Sequence, residues 1–325
     1  MNTFVHLLNP PESPHLQVLL DLLAEDIKIS LGSEVPKDTN ILVAGRPGLA
    51  ELAASPELQA LVIPWAGLPP TTRQHLQDFP HVAVYNLHHN ADQTAEMAIA
   101  LLLAAARRII PADRALRQGD WTIRYREDPS LTLTGKTALV LGFGHIGQRV
   151  GRICYALGMQ VIGVRRHLEA SIELDFPAEI AGFRNLQLLL QRSRVLLITL
   201  PGTPETVGMI GAAEIANLPQ GGILVNVGRG SIVDQAALYE ALINGHLGAA
   251  GLDVWYNYPQ NESDRLHTPP ADFPFGELDN VVLSPHRAGG GDEIETARMQ
   301  HLAKLLNTLA QGEEPENRVD IQAGY

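Results

Sequence analysis

Three glycines set the first chemical reading of this chain. Gly142, Gly144 and Gly147 form a Gly-x-Gly-x-x-Gly run, with His145 and Ile146 standing before the third glycine. An apolar stretch, Ala138 to Leu141, leads into the run. A helix-like segment follows, and then a second apolar stretch, Val161 to Val164. The order is strand, tight turn, helix, strand. Glycines at 142 and 144 let the backbone approach a pyrophosphate, and Gly147 lets helix and strand pack closely. The helix N-terminus adds N–H donors and a partial positive charge. The spacing therefore predicts a dinucleotide site, in preference to a merely structural turn.

The end of the second strand bears on which dinucleotide. An NAD site usually places Asp or Glu there for the ribose 2′-hydroxyl. Here Arg165 and Arg166 stand instead, followed by His167. No neighbouring carboxylate in the sequence repels a 2′-phosphate, and guanidinium forks suit one. The reading is NADP preferred and NAD possible. The alternative is a pair of solvated arginines at a strand end.

The elements that must position this turn follow from the apolar pattern. Strand-like segments lie at Phe4–Leu8, Ile41–Ala44, Leu61–Ile63 and Val82–Tyr85, with helical stretches such as Leu16–Ala24 between them. Alternation of this kind predicts a parallel sheet with crossover helices. A second series begins at Thr137, with strands expected at 137–141, 161–164, 195–199, 222–226, 249–253 and 281–283. Two such series in 325 residues predict two α/β domains. A long helix is expected over about residues 92–110, ended or kinked by Pro111. A final helix is expected over about 292–309, and the polar residues 312–325 read as a loose tail.

The composition is that of an ordinary globular α/β protein, 45% hydrophobic and 18% charged. A formal net charge of −12 argues against nucleic acid or an anionic membrane as partner. Cys154 is the only cysteine, which excludes an intrachain disulfide and fits a reducing cytoplasm. The N-terminus has no basic region ahead of an apolar run, so no signal peptide is expected. The longest apolar run, Met97 to Ala106, is too short for the roughly 20 residues a membrane span needs. No metal site is expected.

Several stretches, taken in order, resemble the D-isomer-specific 2-hydroxyacid dehydrogenase family. They are Ala95-Glu96, Gly119-Asp120-Trp121, LTGKTALVLGFGHIGQ, LPGTPET (200–206), ILVNVGRGSIVDQAALYEAL (223–242), GLDV (251–254) and NVVLSPHRAGG (280–290). The resemblance implies two Rossmann-like parallel-sheet domains. A dinucleotide-binding domain over 99–288 would be inserted into a flavodoxin-like substrate domain formed by 1–98 and 289–325. It also implies a homodimer and a small anionic 2-oxo or 2-hydroxy acid as substrate. Arg229, between Gly228 and Gly230, looks like the arginine that holds the acid and polarises its carbonyl. His286 looks like the general acid/base, an imidazole titrating near working pH. Cofactor contacts are implied for Leu200, Pro201, Thr206, Val227 and Gly289, and for Asp253 beside the nicotinamide carboxamide. Trp65-Ala66-Gly67 resembles the turn that binds the substrate carboxylate, and Asn90 resembles a residue facing the substrate.

One position departs from the family. Five residues after Asp253, where a glutamate usually pairs with the histidine, the chain has Tyr258. Three explanations stand at this point. Another carboxylate, such as Asp264 or Glu293, approaches His286; or Tyr258 replaces the glutamate, with a lower pH optimum for reduction; or the chemistry has changed. The first reading of function is an NADPH-preferring reductase of the glyoxylate or hydroxypyruvate type. The alternative is a weakly catalytic or non-catalytic dinucleotide-binding sensor or scaffold.

Overall fold

The computed structural model describes residues 3–127, 129–168, 172–322 and 324. The chain divides into two compact units, Met1–Asn90 with Gly290–Tyr325, and Ala91–Gly289. The division expected at residue 98 falls inside one continuous helix, which belongs entirely to the second unit.

The first unit opens with β1 (Thr3–Leu7), α1 (Ser13–Leu22), β2 (Ile27–Leu31) and β3 (Ile41–Val43). It continues through α2 (Leu49–Ala53), β4 (Ala60–Ile63), α3 (Pro70–His75) and β5 (Ala83–Asn86). The strands are all parallel, in the order β2-β1-β3-β4-β5. Successive side chains of a strand point to opposite faces. Val43 and Val62 accordingly join Met299, Leu302 and Leu306 of the C-terminal helix on one face. Leu42, Leu61 and Ile63 join Leu52 and Leu76 on the other. Both faces are buried, which explains why these strands read as unbroken apolar runs.

The second unit begins with α4 (Ala91–Ala106), α5 (Ile109–Leu116), β6 (Thr137–Leu141), α6 (His145–Ala156), β7 (Gln160–Val164) and β8 (Glu179–Ala181). It continues with α7 (Leu186–Gln191), β9 (Val195–Ile198), α8 (Ala212–Asn217), β10 (Gly222–Asn226), α9 (Gln235–Ile243), β11 (Leu247–Leu252) and β12 (Val281–Leu283). The closing helix α10 (Asp292–Ala310) returns to the first unit. Seven parallel strands stand in the order β12-β11-β10-β9-β6-β7-β8. The chain builds outward from β6 through β7 to β8, then crosses back to β9 on the other side of β6. The loops after β6 and β9 thus diverge at a topological switch point, where ligands bind in open α/β sheets. Helix α4 lies close on this sheet: a Cβ added at Gly251 would sit 2.8 Å from Leu101 Cβ.

Four features differ from the pattern read in the sequence. β2 and β8 are edge strands, short and only partly buried, so their apolar signal is weak. The long helix breaks at Arg108, whose φ is 54°, before Pro111 is reached. Pro111 lies in the first turn of α5, where a missing N–H costs no helical hydrogen bond. The expected loose tail instead covers the edge of β5. Val319 N–H donates to Val84 O at 2.7 Å and Asn86 N–H to Asn317 O at 3.1 Å, satisfying backbone groups that an edge strand leaves open.

Candidate active site

The turn after β6 has the geometry its glycines require. Gly142 has φ 96°, and a Cβ there would come within 2.9 Å of Leu200 N. A Cβ at Gly147 would lie 2.2 Å from Gly142 O, so the first turn of α6 rests directly on the loop. At Gly144, the N-cap of α6, an added Cβ meets nothing within 4 Å. The turn is therefore closed where it packs and open at the helix N-terminus, where a phosphate is favoured. His145 is exposed there and Ile146 half-buried, while Phe143 turns into the core. This arrangement fits a dinucleotide pyrophosphate.

Leu200 and Pro201 follow β9, and Val227 follows β10, at the same end of the sheet. Leu200 and Val227 are buried, and Val227 N–H donates to Ile198 O at 3.1 Å. Thr206 is also buried. Its hydroxyl donates to Pro201 O at 2.7 Å and accepts from Thr203 N–H at 2.8 Å. Its visible work is to hold the 201–206 loop in shape. Arg165 and Arg166 stand at the end of β7, half-buried and exposed respectively. Arg166 pairs with Glu205. A carboxylate does therefore stand beside the arginines, contrary to the sequence reading, and it comes from a loop 39 residues away.

The loop after β10 presents Arg229. Asn226 is buried, with its amide donating to Arg229 O at 2.9 Å and accepting from Gly228 N–H at 3.0 Å. A Cβ at Gly228 would lie 2.6 Å from Leu200 O, and one at Gly230 would lie 2.1 Å from Trp255 O. Close packing on both sides thus leaves Arg229 as the residue that projects. Its Nη1 donates to Gly228 O at 2.7 Å.

Tyr258 and His286 meet. The tyrosine hydroxyl lies 2.8 Å from His286 Nδ1 and accepts Trp255 N–H at 3.0 Å. Trp255 is anchored in turn, its indole N–H donating to Ser284 O at 2.8 Å. Of the three explanations for position 258, the contact selects the tyrosine as the histidine's partner. A carboxylate would hold Nδ1 protonated in every state. A hydroxyl can either donate to Nδ1 or accept from it, so it orients the ring without fixing its tautomer. Burial of the ring lowers the His286 pKa from its ordinary value, Arg229 lowers it further, and Asp253 opposes both. His286 has φ 54°, a left-handed backbone that costs a side-chain-bearing residue about 1–2 kcal/mol.

Asp253, expected beside the nicotinamide, is fully buried, and its carboxylate accepts from Ser284, Arg287 and Ala288. Gly289, just beyond this segment, is exposed. Asn226, Trp255 and Ser284 escaped the sequence reading as site residues. Asn226 and Ser284 lay inside quoted motifs, but only their contacts reveal what they do.

In the first unit, the turn Trp65-Ala66-Gly67 follows β4. Asn86 Nδ2 donates to Ala66 O at 2.8 Å, and Leu87 N–H to Trp65 O at 3.4 Å. The turn is therefore tied to the segment leading to Asn90, which is half-buried. The Trp65 indole lies against Gly45, where a Cβ would come within 1.7 Å of it. That ring packs on the loop after β3, an engagement the sequence reading did not foresee.

The model of the D-isomer specific 2-hydroxyacid dehydrogenase NAD binding domain matches residues 99–288, more than half of the chain. The chain belongs to the D-isomer specific 2-hydroxyacid dehydrogenase family. The glyoxylate reductase of Aeropyrum pernix is 40% identical over 234 residues, covering 70% of this chain and 66% of that protein. The D-3-phosphoglycerate dehydrogenase of Archaeoglobus fulgidus is 37% identical over 232 residues, covering 71% of this chain and 41% of that protein. The match thus spans slightly under two thirds of the first relative and under half of the second. A D-isomer specific 2-hydroxyacid dehydrogenase from Xanthobacter autotrophicus, solved in complex with NADPH and MES, superposes with a TM-score of 0.80. It is 25% identical, and the match covers 100% of both chains. Members of this family are NAD(P)-dependent 2-hydroxyacid dehydrogenases.

Proposed function

We propose that the protein reduces a small 2-oxo acid to its D-2-hydroxy acid, with NADPH preferred over NADH. The observation that carries the reading is the polar group at one end of the seven-stranded sheet. Arg229, Tyr258 and His286 stand on the loops after β10, β11 and β12, respectively. The glycine turn opens at the same end, after β6.

In this reading Arg229 binds the substrate carboxylate and polarises the carbonyl, where a planar guanidinium offers two parallel donors. His286 in its protonated form gives its Nε2 proton to the carbonyl oxygen as negative charge develops there. Tyr258 orients the ring through Nδ1. Gly144, His145, Ile146 and Gly147 would hold the pyrophosphate, with Leu200, Pro201, Val227 and Gly289 bordering the dinucleotide. When bound, the reduced nicotinamide supplies the hydride. Arg165 and Arg166 support the NADPH preference, tempered by Glu205. Trp65, Ala66, Gly67 and Asn90 form the expected substrate-facing part of the first unit, which would be the substrate domain. NADPH and NADH consumption with glyoxylate, hydroxypyruvate, pyruvate and phenylpyruvate, from about pH 5 to 8, tests the proposal. Tight dinucleotide binding without turnover on any of these acids would favour a sensor.

The relatives named glyoxylate reductase support a short-chain acid such as glyoxylate or hydroxypyruvate as substrate. A homodimer is the assembly that the family resemblance implies. Sedimentation of the purified chain tests it. A cytoplasmic location remains the expectation drawn from cysteine usage.

A further inference from the structure

A side chain from outside the glycine turn reaches its base. Thr199 follows β9, half-buried, where the two halves of the sheet diverge. Its hydroxyl lies 2.7 Å from Gly142 O and 3.2 Å from Leu141 O, and a hydroxyl has one proton to donate. Leu141 O already accepts the Thr199 N–H at 2.9 Å, so the hydroxyl proton goes to Gly142 O. That carbonyl also accepts Gly144 N–H at 2.9 Å. Helix α6 presses on the same oxygen: a Cβ at Gly147 would lie 2.2 Å from it and 3.1 Å from Thr199 Oγ1. Gly142 and Phe143 turn their own N–H groups to Val164 O, at 3.0 and 2.9 Å.

We propose that Thr199 is a positioning residue for the dinucleotide: its hydroxyl pins the Gly142 carbonyl between β9 and α6, and so holds the turn in the shape that leaves the N-terminus of α6 open to an anion. The inference rests on the reading of the glycine turn as the pyrophosphate site. At the start of α6 the first-turn N–H groups have no acceptor in their own helix, and Gly144 at the N-cap has no side chain to cap them. They favour negative charge, and a carbonyl oxygen swung into their place would oppose it. Gly142 has φ 96° and no side chain, so the residue itself resists such a rotation little. Gly144 N–H restrains the carbonyl from within the turn. Thr199 restrains it from the sheet, 57 residues along the chain. A pyrophosphate is common to NADPH and NADH, whereas Arg165 and Arg166 stand apart from the turn, at the end of β7. Thr199 therefore acts on both dinucleotides alike.

The test uses the full-length chain with Thr199→Val, which keeps the branched shape and loses the donor, and Thr199→Ser, which keeps the donor. NADPH and NADH binding are measured by calorimetric titration, beside thermal unfolding of the free proteins. Thr199→Val should weaken both dinucleotides about tenfold, the scale of one acceptor left without its donor, and keep their ratio. Thr199→Ser should bind both as the wild type does. A lowered unfolding temperature in Thr199→Val with both dissociation constants unchanged would make the hydroxyl merely structural and overturn the proposal. Equal weakening in Thr199→Val and Thr199→Ser would assign the effect to shape and overturn it too. A loss confined to NADPH would place Thr199 with the 2′-phosphate, again against the proposal. If Thr199→Val does not fold, Thr199→Ala against Thr199→Ser decides, since both lack the methyl group. Weaker binding in Thr199→Ala supports the proposal, and equal binding overturns it. Wild-type protein that binds neither dinucleotide would overturn the reading of the turn itself, and the proposal with it.

Discussion

The two units share an architecture and differ in their loops. Each is a parallel sheet buried on both faces, with strand side chains alternating between two apolar clusters. In the second unit, buried polar side chains brace the strand-end loops: Thr206 holds 201–206, Asn226 holds 228–229, and Asp253 with Ser284 holds 284–288. In the first unit, helix α3 braces the loop after β3: Thr72 Oγ1 donates to Gly45 O at 3.3 Å and His75 Nδ1 lies 3.1 Å from Pro47 O. Asn86 ties down Ala66, while His89, at 8% exposure, has a buried Nδ1 with no hydrogen-bond partner. One layering therefore supports either a held constellation or a packed turn, depending on which polar groups the loops contain.

The comparison is sharpened most by removing the chemistry from the second unit. His286→Gln should lower kcat by about 10²–10⁴-fold with NADPH binding retained, in steady-state assays. Arg229→Lys keeps the charge but loses the fork, and should cost about 10²-fold in kcat/KM. Wild-type rates in both would break the assignment of the reaction to this unit.

Acid stability probes the first unit. Burial pushes His89 down to about 4, with Arg298, His301 and His88 adding to the effect. Its folded pKa lies below the unfolded one, so the unfolded chain takes up the proton first. The stability present above about pH 6.5 is therefore lost as pH falls towards 4, by about 3 kcal/mol in total. Denaturant titrations at pH 7 and 4.5 should show that loss in the wild type and a much smaller one in His89→Leu. Equal losses in the two proteins would place the acid sensitivity elsewhere.

Close glycines give a paired test. Gly147→Ala drives a Cβ into the backbone oxygen of Gly142, and Gly45→Ala drives one into the Trp65 ring. Each should cost about 1–3 kcal/mol by overpacking. Only Gly147→Ala should weaken NADPH binding as well, as read by thermal unfolding alongside titration. Equal effects on binding would mean that the two units are not distinct in this respect.

The smallest changes concern pH and cofactor preference. His286 titrates below its usual value, so reduction should fall as pH rises through a point below about 6.5. Tyr258→Glu should raise that point by about one pH unit, because a carboxylate favours the protonated ring. A pH–rate profile that does not move would remove position 258 from the control of His286. Glu205→Gln should lower KM for NADPH a few-fold and leave NADH unchanged, as expected when one exposed charge is removed from Arg166.

Much of this was legible in the chain. The glycine turn depends on local backbone geometry, so Gly142, Gly144 and Gly147 announce it within six residues. The buried strands read clearly because both faces demand apolar side chains. The edge strands β2 and β8 were not legible because partly buried strands carry a weak apolar signal, and the tail paired with β5 was not because its partner lies far along the chain. The same holds within the site. Arg229 and His286 stand out through motifs, but the Tyr258–His286 contact joins residues 28 apart and the Arg166–Glu205 pair residues 39 apart.

By itself the sequence determined the α/β layering, the dinucleotide turn and the family, because each depends on short-range pattern or collinear motif. Only the tertiary structure decided what Asp253 holds, which partner His286 has, and where Trp65 packs. Hydrogen bonds and charges act over a few ångströms, and which residues come that close is set by how the strands are ordered in the sheet.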